Sequence, residues 1–264
     1  MCLRMSVCDT SDYVVAFDRF RRLPTDLLLT YARDLVGRLS PHEGVHTVRF
    51  LDVGAGIGQF AEAVAMAVEE TGRAFALTML EPSAAFRSFL WARSIGARGQ
   101  VIASTLEEYQ SDVAFDLILL SEVAHLFTNR SRAFDRLRDL LARGGVLGLR
   151  YGSNEQVRDR PWYRYFPEVH RLDLERQPAA VDYERVLERR GFVTETIQVN
   201  EPWELGPDEL VDFMRSRPFS GFRLVDDRLL QPRIDAFADA VRAGDVDTFW
   251  HNRMTWTIAR WANT

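Results

Sequence analysis

Apolar residues in this chain follow two alternating patterns. At FDLILLS (115–121) they run almost without a break over the length of a strand, and TVRFLDV (47–53) and AFALTML (74–80) are predicted as the first two strands. Such a run predicts a strand buried on both faces. QVIA (100–103) and GGVLGLRY (144–151) predict a short third strand and a fifth. Between the strands, Gln59 to Glu70 and Arg130 to Ala142 carry apolar residues at helical spacing, as amphipathic helices do. A further helix is predicted over Ser83 to Ile95, with Ser83 as its N-cap. This alternation predicts an α/β fold with a doubly wound parallel sheet.

The flanks are patterned differently. Leu23 to Leu39 reads as a helix, with Leu27, Leu28, Tyr31, Leu35 and Leu39 on one face and Thr25 as a plausible cap. Beyond residue 151 the periodicity loosens. A helix is predicted over Asp182 to Arg190, stopped by Gly191, then a strand at FVTETIQV (192–199). Helices follow at Pro207 to Arg217 and Asp226 to Ala243, and a last strand at RMTWTIARW (253–261). The organisation expected is a helical cap over 1–46 and a cofactor-binding core over 47–151. The rest of the sheet lies in 152–264, with 152–178 and 201–250 forming a lid over the sheet's carboxyl end.

Composition narrows the function. With 264 residues, 47% apolar and 27% charged, the chain can bury a full core. The net charge of -5 argues against a nucleic-acid binder. All 33 basic residues are arginine, which excludes a catalytic lysine, a Schiff base and a Gly-Lys-Ser/Thr phosphate loop. Cys2 and Cys8 are too few for a disulfide or thiolate scaffold, and the five histidines show no metal-ligand spacing, so no metal is expected. No apolar run suggests a signal peptide or membrane span, and a cytoplasmic protein is the expectation.

The candidate chemistry gathers at the carboxyl ends of the strands, where open α/β sheets hold ligands. Strand one ends in LDVGAGIGQF (51–60), with Asp52 ahead of Gly54, Gly56 and Gly58. A dinucleotide fingerprint would place its packing glycine at position 59, where Gln59 stands. Asp52 would repel a pyrophosphate and attract an ammonium. Glu81, with Pro82, ends strand two, where a carboxylate can accept from both hydroxyls of a ribose. After strand three, Ser104, Thr105 and Leu106 either face an adenine or cap a helix. Ser121 ends strand four and leads into a polar loop carrying Glu122 and His125.

These stretches resemble the class I S-adenosylmethionine-dependent methyltransferases. LDVGAGIGQF is similar to their glycine motif, Glu81 to their ribose-binding acid, FDLILLSEVAHLF to their fourth-strand motif, and LLARGGVLGL to the segment before strand five. FDRFRRLPTDLL (17–28) resembles the N-terminal stretch of small-molecule members similar to trans-aconitate and ubiquinone-biosynthesis methyltransferases. The resemblance implies a Rossmann-like sheet of seven mostly parallel strands, the last antiparallel, with a helical N-terminal segment and a helical lid. It implies S-adenosyl-L-methionine as cofactor, held by Arg21, Asp52, Gly54, Gly56, Glu81, Pro82, Thr105, Leu106 and Ser121. Arg21 would close over the methionine end, with Phe17 and Phe20 packed beside it.

The implied reaction is an SN2 methyl transfer to an oxygen, nitrogen or carbon of a small organic acceptor. Its main requirement is alignment and exclusion of water. His125 is the favoured catalytic base, oriented by Glu122, and it could equally line the cofactor. Tyr13, Tyr151, Tyr163, His170 and His251 are weaker candidates. The arginines and aromatics of PWYRYFP (161–167) and MRSRPFSGF (214–222) suit a flat or anionic acceptor, and equally an ordinary lid. The partners expected are this acceptor, with no nucleic acid and no membrane; a homodimer is compatible. Two alternatives stay open: a cofactor-binding protein without transferase activity, and an NAD(P)-dependent oxidoreductase.

Overall fold

The computed structural model describes residues 9–39 and 47–261; Cys2, Cys8, His42 and His46 lie outside them. In chain order the elements are α1 (Ser11–Arg21), α2 (Thr25–Gly37), β1 (Val48–Val53), α3 (Gln59–Glu70), β2 (Phe75–Leu80), α4 (Ala84–Trp91), α5 (Ser94–Ala97), β3 (Gly99–Ile102), β4 (Phe115–Ser121), α6 (Arg130–Leu140) and β5 (Leu141–Tyr151). Then come α7 (Asn154–Arg158), α8 (Pro167–Arg176), α9 (Ala180–Glu188), β6 (Phe192–Glu204), α10 (Pro207–Ser216), α11 (Ser220–Arg223), α12 (Asp227–Ala243) and β7 (Phe249–Trp261).

The seven strands form one sheet in the order β3-β2-β1-β4-β5-β7-β6. β1 pairs in parallel with β2 and β4, β2 with β3, and β4 with β5, whereas β7 runs antiparallel to β5. The order reverses at β1, between β2 and β4, and this is where such a sheet opens a crevice for a ligand. The expected Rossmann-like sheet with an antiparallel last strand is therefore present.

The chain divides into two compact units. The larger comprises Leu23–Tyr151, Val181–Ile197 and the chain from Thr255. Its core is the buried run of β4, Leu117 to Leu120, with Phe50 and Leu51 of β1 and Val146, Leu147 and Leu149 of β5. The helices pack their apolar faces on this sheet, through Ala61, Val64 and Val68 of α3 and Phe134 and Leu137 of α6. The smaller unit comprises the chain up to Arg22, Gly152–Ala180 and Gln198–Met254. It has its own core, in which Trp162, Phe166, Phe213, Phe222 and Phe237 are all nearly inaccessible to solvent.

Several boundaries differ from the sequence reading for identifiable reasons. Thr25 is the first helical residue of α2, preceded by Pro24, and supplies no side-chain cap. Ser83 does cap α4, its Oγ accepting the N–H of Phe86 at 3.2 Å. β5 begins three residues before Gly144, because a bulge lets Phe115 pair with Leu141 before Leu117 pairs with Val146. β6 continues five residues past Val199, through Asn200 to Glu204, with Glu201 buried among them. The weakly periodic segment after 151 folds as α7, a 3-10 turn (Pro161–Arg164) and α8.

Candidate active site

The site is built on the turn from β1 into α3. Gly54, Gly56 and Gly58 all take positive φ, at 69°, 56° and 79°. The three differ in what surrounds them. A Cβ on Gly54 would come within 2.6 Å of Val123 Cγ2, so the turn is pressed against the loop after β4. A Cβ on Gly58 would meet Leu90 and Ile95 at 2.7 and 2.9 Å. Gly58 is thus both the N-cap of α3 and the residue that allows close helix packing. Gln59, the first residue of α3, uses its Oε1 to accept the N–H of Leu23 at 2.9 Å. A Cβ on Gly56 would meet nothing closer than 3.9 Å, so its open side is not required by packing.

Glu81 follows β2 and is buried. Its Oε2 accepts the N–H of Gly56 at 2.8 Å and its Oε1 accepts the N–H of Ser83 at 2.9 Å. The carboxylate therefore locks two strand ends together. Arg87 holds the same loop from below, donating to the carbonyls of Glu81 and Pro82 at 2.9 and 2.7 Å. Its role was not evident in the sequence, where it reads as one of many helical arginines.

Asp52 lies on β1 between Met79 of β2 and Leu119 of β4, and is 2% exposed. Its Oδ2 is buried without a hydrogen-bond partner. Burial, reinforced by the negative charge of Glu81, pushes its carboxyl up to about 7. A buried, unpartnered carboxylate oxygen is costly to maintain, and it is the natural acceptor for a cationic donor.

Beyond β3, Leu106 is buried and Thr105 half-buried. The Thr105 carbonyl accepts the N–H of Tyr109 at 3.0 Å and the Oγ of Ser104 at 2.9 Å, which fixes a turn after the strand. Beyond β4, Ser121 Oγ accepts from Arg150 Nη1 at 3.3 Å. Glu122 then adopts a φ of 58°, a left-handed conformation that non-glycine residues rarely hold outside functional or tightly constrained turns. Its N–H donates to the Arg150 carbonyl at 2.8 Å. His125 sits in the 3-10 turn that follows, Ala124–Leu126, with Nδ1 buried.

Arg150 was not singled out in the sequence, because it interrupts an apolar strand by only one residue. It is 6% exposed, and its guanidinium lies 5.8 Å from the ring centroids of both Tyr31 and Phe60. It underpins the loop after β4 from the neighbouring strand.

Asp52, Gly54, Gly56, Glu81, Pro82, Thr105, Leu106, Ser121 and His125 all belong to the larger unit, at or just after the carboxyl ends of β1 to β4. Arg21 belongs to the smaller unit, where its guanidinium lies 4.7 Å from the ring centroids of both Phe17 and Phe219. Tyr13, Tyr163, His170 and His251 also belong to that unit. Tyr151 packs on Tyr183, with ring centroids 4.3 Å apart, and its hydroxyl meets Thr257 Oγ1 at 3.4 Å.

Residues 51–147, from β1 into β5, match the family model described as a methyltransferase domain. That stretch is 97 of the 264 residues, and it is similar to a methyltransferase domain. S-adenosylmethionine is the cofactor of such domains. The site's chemistry fits it: the orphaned Asp52 oxygen suits an ammonium, and the glycine turn leaves Gly56 open.

Solved structures share the fold. A putative methyltransferase from an antibiotic biosynthesis pathway of Anabaena variabilis is 15% identical, with a TM-score of 0.67 over 86% of this chain and 95% of that one. The plantazolicin methyltransferase BpumL, solved with a desmethyl plantazolicin analogue and S-adenosylhomocysteine, is 15% identical, with a TM-score of 0.56 over 92% and 87%. A putative sarcosine dimethylglycine methyltransferase from Galdieria sulphuraria is 16% identical, with a TM-score of 0.53 over 90% and 86%. No curated protein matches the chain by sequence. No helix among the described residues is long and apolar enough to cross a membrane.

Proposed function

We propose that the methyltransferase domain holds S-adenosylmethionine on the β1–α3 turn and delivers its methyl group to a small organic acceptor. The sulfonium supplies an activated methyl group that a nucleophile can take by direct displacement. The observation that carries the site assignment is the buried, unpartnered Oδ2 of Asp52 beside the Gly54–Gly58 turn. Asp52 receives the ammonium, and the Glu81 carboxylate, at the end of β2, receives the ribose hydroxyls. Leu106 gives the adenine an apolar contact, with Thr105 and Pro82 lining the same edge. Ser121, anchored by Arg150, borders the cofactor from the end of β4.

His125 is the candidate base. It lies four residues after Ser121 in a loop whose backbone Glu122 and Arg150 hold in place. An imidazole there accepts a proton from an acceptor hydroxyl or amine; a carboxylate acceptor would need no base. Arg21 stays a proposed cofactor residue, with its guanidinium against the Phe17 and Phe219 rings. The Arg and aromatic content of the smaller unit, Arg160 beside Trp162 and Phe219 included, favours an anionic or aromatic acceptor. The acceptors of similar folds, a pentazolic desmethyl plantazolicin analogue for BpumL and sarcosine or dimethylglycine for the Galdieria sulphuraria protein, support a small organic acceptor.

Transfer of radiolabelled methyl from S-adenosylmethionine to pools of small carboxylates, phenols and amines tests the function. Label in a product pool, lost in Asp52→Ala, supports it. No transfer to any pool with intact cofactor binding would leave a binding protein without transferase activity.

A further inference from the structure

One side chain joins two loops that carry different parts of the proposed site. The loop after β3 (103–114) holds Thr105 and Leu106, assigned to the adenine, and the loop after β4 (122–129) holds His125, the candidate base. Both loops belong to the larger unit. Glu107, next to Leu106, reaches from the first to the second. Its Oε1 accepts the N–H of Thr128 at 3.1 Å and the hydroxyl of Thr128 at 3.3 Å. Thr128 lies three residues after His125 and directly before Asn129, the N-cap of α6.

Each end of this link is held. On the Glu107 side, Leu106 is buried, and the Thr105 carbonyl accepts the N–H of Tyr109 at 3.0 Å. Glu107 therefore projects from a closed turn with its neighbour sunk in the core. On the Thr128 side, the N–H of Leu126 donates to the Val123 carbonyl at 2.8 Å, which closes the turn around His125. Phe127 packs edge-on against Phe134 of α6, with ring centroids 6.2 Å apart. Asn129 Oδ1 accepts the N–H of Arg132 at 3.0 Å. A displacement of Thr128 is thus transmitted to His125 through a short, constrained stretch of chain.

The link can be cut without losing the fold. Thr128 is exposed and Glu107 half-buried, and hydrogen bonds at such positions exchange with water and add little to global stability. Arg136 of α6 supplies a separate strap to the loop after β3, its Nε donating to the Tyr109 carbonyl at 2.7 Å. With Glu107 truncated, α6 stays fastened to that loop, and the stretch ahead of α6 is the part set free.

We propose that Glu107 is a positioning residue that couples occupation of the adenine side of the site to the placement of His125. A base packed on Leu106 fixes the turn that carries Glu107, and Glu107 passes this constraint through Thr128 to the His125 loop. The coupling is reciprocal, since it is a free energy shared by the two places. The proposal rests on the cofactor site proposed above.

The test is a titration of the full chain with adenosine, which has the base and the ribose but no amino-acid end. Histidine Cε1–H signals are followed by NMR at fixed pH, His125→Gln identifies the His125 signal, and calorimetry gives the affinity. In the wild type, adenosine binding is expected to move the His125 signal. Glu107→Ala should still bind adenosine and lose most of that movement. Glu107→Gln, whose amide oxygen can accept from both Thr128 donors, should retain it. Equal movement in the wild type and Glu107→Ala, or adenosine binding without movement in the wild type, overturns the coupling and leaves the cofactor site standing. A loss in Glu107→Gln as large as that in Glu107→Ala also overturns it, because the hydrogen bonds would not then be the link. Absence of binding by both adenosine and S-adenosylhomocysteine would instead remove the cofactor site, and the coupling with it.

Discussion

The N–H of Gly56 donates to Glu81 Oε2 at 2.8 Å, joining the middle of the β1–α3 turn to the end of β2. One carboxylate therefore shapes the glycine turn and also presents acceptors to whatever the turn holds. Glu81→Ala should weaken S-adenosylhomocysteine binding by roughly 1–3 kcal/mol through lost hydrogen bonds. Glu81→Gln, which keeps one acceptor oxygen, should fall between the two. Isothermal titration calorimetry measures both, and unchanged affinity in the alanine variant would remove Glu81 from the site.

The three glycines should separate by function. Gly54→Ala and Gly58→Ala each combine a left-handed φ with a Cβ closer than 3 Å to a neighbour, and should cost about 1–3 kcal/mol or more in urea unfolding. Gly56→Ala carries the φ penalty alone and should cost about 1 kcal/mol. Its larger effect should be on cofactor affinity, because its open side serves the ligand. An affinity loss in Gly56→Ala no greater than the stability loss would count against that reading.

Asp52 should make stability and binding depend on pH in opposite directions. Its carboxyl is raised from 3.8 to about 7 on folding. Between those values the folded chain keeps a proton that the unfolded chain has lost, so unfolding becomes easier as pH rises and levels off above about 7. Asp52→Asn removes this penalty. In the absence of ligand it should stabilise the chain by at most about 4 kcal/mol above pH 7, and not at all near pH 4. Cofactor binding should instead strengthen as pH rises toward 7 in the wild type, because an ammonium favours the ionised carboxylate. Thermal unfolding and calorimetry across pH 5–8 check both trends, and parallel trends in the two measurements would contradict the account.

His125→Ala should lower methyl transfer to a proton-bearing acceptor by roughly 10²–10⁴-fold while leaving S-adenosylhomocysteine affinity nearly intact. Equal losses in both would make His125 a wall of the cofactor site.

Much of this was legible in the sequence where one physical signal dominated. A nearly unbroken apolar run marked β4, because a strand buried on both faces admits few polar residues, and alternation with amphipathic helices marked β1 and β2. Asp52, Glu81 and Ser121 could be placed at strand ends on that basis. The packing role of Gly58 was not visible, because counting along a turn cannot show that Leu90 and Ile95 crowd it. Arg150 and Arg87 were invisible, since one arginine among 33 carries no pattern until packing buries or aims it. α7 and α8 were missed because the core of the smaller unit is built from aromatics on short, irregular elements, which leave little periodicity.

The most direct test of the central claim is equilibrium binding of S-adenosylhomocysteine and of NAD to the full-length wild-type chain, measured side by side. Saturable one-to-one binding of S-adenosylhomocysteine, weakened at least about tenfold in Glu81→Ala and with no binding of NAD, is the predicted result. Binding of NAD without binding of S-adenosylhomocysteine would contradict it.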